Sequence, residues 1–255
     1  MTVRLEDKGA YLIVHNREEK RGAITPEFFQ TINNAVEMAA DRRVRCIILT
    51  GGAFFCAGGD LQALKTRAKL PPESRRAKIE LLHDVVRAMH SSEVLLIAAI
   101  EGGAAGAGLS LALACDMIVA AQGASFTAAY VKAGLTPDGG LTHALGQLVP
   151  RQMAMEMCLM GRKVGAERFA ELGVVSEICA KGEALSKAEV LAKLLIKGPR
   201  QAQSRIRHLI SEAAEADLST QLDQEAAFMI DAQVSDDAAE GMAAFLEKRS
   251  PEFNA

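Results

Sequence analysis

The sequence predicts an α/β fold built on parallel strand pairing, and three observations carry that expectation. Short apolar runs bounded by glycine or charge alternate with stretches of helical periodicity along most of the chain. Two of those runs lead directly into segments rich in glycine and alanine. Beyond about Gly182 the β-type signal stops and only helical patterns follow. Strands separated by helices pair in parallel, because each connection must cross back over the sheet.

Taken in order, Tyr11–His15, residues 46–49, Leu95–Ile100 and Met117–Ala121 are compact apolar runs, as strands buried on both faces should be. Thr25 and Pro26 supply a cap and a first-turn proline to a helix with Phe28, Ile32, Ala35, Val36 and Ala39 on one face. Ile79, Leu82, Val86 and Met89 form a second stripe ahead of the Leu95 strand. Residues 199–216, 218–230 and 235–248 read as three closing helices, the last with Ala238, Met242, Phe245 and Leu246 on one side. The chain therefore divides into an α/β core at residues 1–196 and a helical region at residues 197–255. So few apolar residues per helix cannot make a separate core, so the tail must pack on the first part or on another subunit.

Composition narrows the classes of function. Aromatic residues are only 4% with no Trp, which does not suit a surface that stacks on bases, so no nucleic-acid partner is expected. A formal charge of −3 gives no general pull towards anionic partners, so any anion site must be local. The five cysteines are scattered without C-x-x-C spacing, which predicts reduced core thiols and no metal. The opening residues lack a signal peptide's apolar core, and no apolar run reaches the ~20 residues of a membrane span. A cytoplasmic protein without a membrane partner is expected.

The chemistry is foreshadowed by the two small-residue segments, residues 46–61 and 97–116. Missing side chains let backbone N–H groups approach a ligand closely. In the second segment the small residues run straight into a helical pattern, so its free N–H groups and dipole aim at one spot. Two such donors from separate loops would hold the oxygen of an enolate formed from a thioester. Either cluster alone serves equally well as a turn or a packing contact. Gly106-Ala107-Gly108 is not a dinucleotide fingerprint, since the stretch lacks the full G-x-G-x-x-G pattern.

Together with Asn16-Arg17-Glu18-Glu19-Lys20-Arg21-Gly22-Ala23, residues 126–140, residues 161–175 and the closing stretch at 240–249, these segments resemble the enoyl-CoA hydratase/isomerase (crotonase) superfamily along nearly the whole chain. The resemblance implies a crotonase-like spiral of ββα units, with a C-terminal helical region that builds a homotrimer or a dimer of trimers. It implies an acyl-CoA substrate and no cofactor beyond that thioester. The oxyanion donors would be the backbone N–H groups of Gly59 and Ala107. Most members have glycine at the second position, and alanine preserves the donor if its φ stays negative. Arg17, Lys20, Arg21 and Ala23 would border the CoA, with Lys20 or Arg21 near phosphate. Ala57, Gly58, Asp60, Leu61, Gly106 and Tyr130 would line the rest of the substrate site. Phe245 and Lys248 match tail positions that reach a neighbouring subunit's CoA. Plain solvated charge is the competing account of Lys20, Arg21 and Lys248.

The sequence departs from a hydratase of that family where two carboxylates would activate water and protonate carbon. The matching positions hold Ser110 and Tyr130, which do not ionise at neutral pH. An acid appears instead at Asp138, the position of a catalytic aspartate in dienoyl-CoA isomerases and the epoxyphenylacetyl-CoA isomerase subgroup, and the pattern is nearest to the latter. One carboxylate suffices for a proton shift, because the base becomes its own conjugate acid. Pro137-Asp138-Gly139-Gly140 is also good turn chemistry without catalysis. The expected function is therefore an acyl-CoA isomerase using Asp138, Gly59 and Ala107. An enoyl-CoA hydratase and a CoA-binding homologue without catalysis are the alternatives. His83 and His90 read as surface or capping residues, His143 could orient Asp138, and Asp60 and Asp116 read as caps or salt-bridge partners.

Overall fold

The computed structural model describes residues 2–41 and 44–253. The chain opens with β1 (Arg4–Asp7), β2 (Tyr11–His15), α1 (Pro26–Asp41) and β3 (Cys46–Thr50). Helices α2 (Leu61–Arg67) and α3 (Pro72–Ser91) lead to β4 (Leu95–Ile100), β5 (Gly103–Ala105) and α4 (Ala107–Leu113). Next come β6 (Met117–Ala121), β7 (Ser125–Thr127), α5 (Leu141–Leu148), α6 (Arg151–Met160) and β8 (Lys163–Gly165). After α7 (Ala166–Glu171) and β9 (Glu177–Cys179) only helices remain: α8 (Ala184–Ile196), α9 (Arg200–Glu212), α10 (Leu218–Gln233) and α11 (Asp236–Glu247).

Six strands make one sheet in the order β1-β2-β3-β4-β6-β9, antiparallel only between β1 and β2. Alternation along each strand divides the apolar side chains between two faces. Leu12, Val14, Ile47, Leu49, Leu96, Ala98, Ile118 and Ala120 share one core with α1, whose Phe28, Ile32, Ala35 and Ala39 are fully buried. Tyr11, Ile13, Cys46, Ile48, Ile97, Ala99, Val119 and Ala121 face α8. That helix presents Ala184, Ala188 and Ala192 at intervals of four, so its backbone lies close against the sheet. Burial on both faces explains why these strands read as continuous apolar runs.

A second sheet, in the order β5-β7-β8, is built from the strand that follows each of β4 and β6. The turns that begin at β4 and at β6 each leave one strand in the large sheet and a short one in the small sheet, and β8 completes the small sheet ahead of α7 and β9. This is the ββα repeat of the crotonase fold. The three-residue strands β5, β7, β8 and β9 are too short for periodicity to reveal, and β1 is a charged edge strand.

The stripe expected on α3 is corrected. Leu82, Val85 and Met89 are its buried residues, whereas Ile79 is 43% exposed and Val86 only half-buried. The first turns of α3 project into solvent, so only its second half packs on the core. The apolar side expected on α11 is likewise not covered within the chain: Ala244 is buried, while Met242, Phe245 and Leu246 are exposed.

The tail is tied to the core through two arginines. Arg207 on α9 donates from Nε to both carboxylate oxygens of Asp116, at 2.8 and 2.9 Å. Its remaining nitrogens donate to the carbonyls of Met89, His90 and Ser92 at the end of α3. Asp116 also accepts from the Leu96 N–H at 2.7 Å, so one ion pair joins α9, α3, β4 and β6. Arg45 clasps the link between α8 and α9 through Ile196 O, Gly198 O and Gln203 Oε1. Among the described residues no helix is long and apolar enough to cross a membrane, and no group of three or more His, Cys, Asp or Glu could hold a metal ion.

Arg207→Met would leave the Asp116 carboxylate short of its ion-pair partner and three carbonyls at the end of α3 without this donor. The expected cost is about 3 kcal/mol of unfolding free energy. Urea denaturation at fixed protein concentration checks it, and an unchanged midpoint would contradict the account.

Candidate active site

Parallel pairing of β3 with β4, from Cys46 opposite Leu95 to Thr50 opposite Ala99, starts the two glycine-rich loops side by side. Their backbones then pair further. Phe55 N–H donates to Glu101 O and Gly103 O, Ala105 N–H donates to Cys56 O at 2.9 Å, and Cys56 bridges Ala104. The segment after β2 joins the same cluster, with Ala57 N–H donating to Arg21 O and Ile24 N–H to Gly58 O. The buried Asn16 side chain donates to Gly22 O at 2.7 Å and to Phe55 O, pinning that segment to the first loop.

This places the two expected donors together. A Cβ at Gly58 would lie 2.7 Å from Ala105 O and 3.2 Å from the Ala107 nitrogen, so the loops are in backbone contact. Ala107 opens α4 and has no intrahelical acceptor for its N–H. Neither the Gly59 nor the Ala107 N–H donates to a protein group among the described residues. Ala107 is absent from the non-glycine residues with positive φ, so its methyl leaves the donor in place. Gly108 is needed for the close approach: a side chain there would overlap the Cys56 carbonyl and come within 2.6 Å of Cys56 Cβ.

The CoA-side candidates surround that cluster. Asp60 caps α2 through the N–H groups of Gln62 and Ala63, and its other oxygen pairs with Lys20 Nζ at 2.5 Å. The Lys20 ammonium holds the Asp60 carboxyl below its ordinary range, with the two N–H groups adding to the effect. Arg17 donates from Nε to Ala23 O at 3.0 Å, and the Arg21 guanidinium sits 4.0 Å from the Phe54 ring centroid. Lys20 and Arg21 both have positive φ, a conformation these contacts sustain. Leu61, the first residue of α2, is exposed beside Asp60.

The acid side is built by the turn from Ala129–Ala133 to α5. Tyr130 Oη donates to Asp138 Oδ1 at 2.6 Å. Ser110, one helical turn after Ala107, donates from Oγ to the Asp138 main-chain carbonyl at 2.9 Å. Gly139 and Gly140 follow with φ of 61° and 75°, and this left-handed pair turns the chain into α5. Burial, and then the nearby Asp138 charge, push the Tyr130 phenol well above its ordinary value, so it stays protonated and donates. The Tyr130 ring lies 3.9 Å from where a Gly106 side chain would begin, against the loop that presents Ala107. The loop that presents Ala107 and the Asp138 carboxylate thus border the same Tyr130 side chain.

Other candidates fall outside. His143 is exposed and pairs with Gln147 at 2.9 Å rather than orienting Asp138. His83 lies 3.7 Å from Glu80 on its own helix, and His90 contributes its carbonyl to Arg207. Phe245 and Lys248 belong to the end of α11, apart from this cluster, with Phe245 82% exposed. The roles of Asn16 and Ser110 are not legible in the local sequence. Their partners lie in other loops, and only the polar residue types themselves hinted at them. A groove of about 1380 Å³ opens between α3, α5 and α9 and is bordered by Ser110 and Gly139.

A spiral of ββα turns with paired backbone donors beside a carboxylate defines an enzyme of the crotonase type. The chain belongs to the enoyl-CoA hydratase/isomerase family, whose model matches residues 6–255. It is 34% identical over 250 residues to the 1,2-epoxyphenylacetyl-CoA isomerase of Escherichia coli (strain K12), covering 97% of this chain and 95% of that one. It is 33% identical to the enoyl-CoA hydratase EchA19 of Mycobacterium tuberculosis, covering 98% and 95% respectively. The crystal structure of an enoyl-CoA hydratase from Polaromonas sp. JS666 superposes with a TM-score of 0.95 at 38% identity, over 99% of both chains.

Gly108→Ala tests the loop contact. Its methyl must displace α4 from Cys56 and carry the Ala107 N–H with it, and a misplacement of about 1 Å costs on the order of 10²-fold in turnover. Steady-state rates on an active thioester would show it, and wild-type turnover would mean the donor's position is not set by this contact.

Proposed function

We propose that this protein is an acyl-CoA thioester isomerase that works through an enolate. The observation that carries the proposal is the Asp138 carboxylate, fixed at 2.6 Å by Tyr130, whose ring borders the loop that presents the Ala107 N–H. The thioester oxygen accepts from Gly59 and Ala107, so negative charge developing there meets donors already in position. Asp138 takes a proton from carbon, the electron pair moves into the enolate, and the same proton returns at another carbon. Ser110 and Tyr130 are hydrogen-bonded and uncharged, so they do not supply the two carboxylates of a hydratase. The isomerase of Escherichia coli at 34% identity supports this choice.

A second reading, hydration with one carboxylate, is favoured by the hydratases of Mycobacterium tuberculosis and Polaromonas. A CoA-binding role without catalysis is the third. Isomerisation moves solvent deuterium into the acyl chain without net addition of water, hydration adds water, and a binder does neither.

The CoA would lie along Arg17, Lys20, Arg21 and Ala23, with its acyl end beside Ala57, Gly58, Leu61 and Gly106. Phe245 and Lys248 would reach it from a neighbouring subunit. The support is the uncovered apolar surface of the tail, including Met229, Ile230, Val234, Phe245 and Leu246. A homotrimer, alone or as a dimer of trimers, is the assembly proposed.

Asp138→Asn keeps the shape and removes the base. Turnover is expected to fall on the order of 10²–10⁴-fold, with thioester affinity by calorimetry nearly unchanged. Retained turnover would remove Asp138 from the mechanism. For the assembly, Ile230→Glu combined with Val234→Glu is expected to give monomers by light scattering and weaker CoA binding. A trimer that survives both charges would place the interface elsewhere.

A further inference from the structure

Tyr130 does more than occupy the place of a missing carboxylate. Its ring faces Gly106, 3.9 Å from the position a side chain there would take, and its hydroxyl reaches Asp138 Oδ1 at 2.6 Å. One rigid side chain therefore spans from the loop that presents the Ala107 N–H to the carboxylate. Ser110 reinforces the same link from α4. Its Oγ lies 3.4 Å from Tyr130 Oη and donates to the Asp138 carbonyl, which also accepts from the Leu141 N–H at 3.3 Å. The side chain and the main chain of Asp138 are thus held separately, one by Tyr130 and one by Ser110.

We infer that Tyr130 is a positioning residue for Asp138, engaging Oδ1 so that Oδ2 is the oxygen that exchanges the proton with substrate carbon. The inference rests on the proposed role of Asp138 as base. A carboxylate with both oxygens free rotates about its terminal bond and spreads its lone pairs over many directions. A phenol donating to one oxygen stops that rotation and leaves the other oxygen free to meet the substrate proton. Tyr130 cannot itself act as the base, because burial and the Asp138 charge keep its proton on.

The test compares Tyr130→Phe, Ser110→Ala and Asp138→Asn in the full-length protein, using deuterium exchange at the α-carbon of 3-hexenoyl-CoA across a range of pH. Tyr130→Phe retains the ring, and a hydrogen bond to a charged group corresponds to a loss of about 10- to 100-fold in kcat. KM should stay within about twofold, because the ring that lines the site is kept and the hydroxyl removed is engaged by Asp138. Ser110→Ala should lower kcat about threefold with KM unchanged, because Leu141 still holds the carbonyl.

A rise in KM with kcat unmoved would make Tyr130 a substrate contact and overturn the inference. Wild-type behaviour of Tyr130→Phe beside an inactive Asp138→Asn would remove the positioning role alone. Wild-type exchange by Asp138→Asn would instead remove the base itself, and with it this inference.

Discussion

The site depends on the parallel register of β3 and β4 within a sheet buried on both faces. Burial on both faces requires helices on each side, so the loops leaving the strands have only the sheet's end on which to converge. Because Thr50 and Ala99 are paired, the segments that follow start as neighbours, and further backbone bonds bring Gly58 against Ala107. Small residues are required there for a steric reason. Side chains at Gly58 or Gly108 would hold the loops apart, and two N–H groups on separated loops could not share one oxygen.

The polar chemistry around that pair is economical. Tyr130 and Ser110 stand where two ionised groups would serve a hydratase of this family, and both are spent on holding Asp138. An uncharged phenol next to a carboxylate avoids the repulsion of two acids in one half-buried site. In the proposed isomerase it also leaves a single group to carry the proton in both directions. On the opposite side, Lys20 and Asp60 neutralise each other at the surface while Asp60 caps α2, which fixes the helix that follows the first oxyanion donor. The same pair of residues thereby serves local structure and the rim of the site.

The tail is joined to the core by polar anchors and leaves its apolar surface outward. Arg207 satisfies Asp116 and the last carbonyls of α3, so α9 is fixed without a large apolar contact. Beyond it, α10 and α11 expose Leu218, Met229, Ile230, Val234, Phe245 and Leu246. An apolar surface of this kind is what a subunit interface covers.

The sequence by itself determined the α/β class, the four long buried strands, the first helix with its proline start, and the two glycine loops. Each is a local pattern repeated over several residues, strong enough to survive without knowledge of its surroundings. Asp138 was legible for a related reason, because it stands at a fixed place between recognisable motifs. Tertiary structure alone decided the rest. The short strands β5, β7, β8 and β9 exist only because a neighbour offers them hydrogen bonds, and the buried face of α3 depends on which of its turns meets the core. Asp116 and Arg207 are 91 residues apart, and Asn16 and Phe55 are 39 apart. No periodicity links such positions. Their pairing follows from where the spiral places each backbone, which no local run of residues encodes.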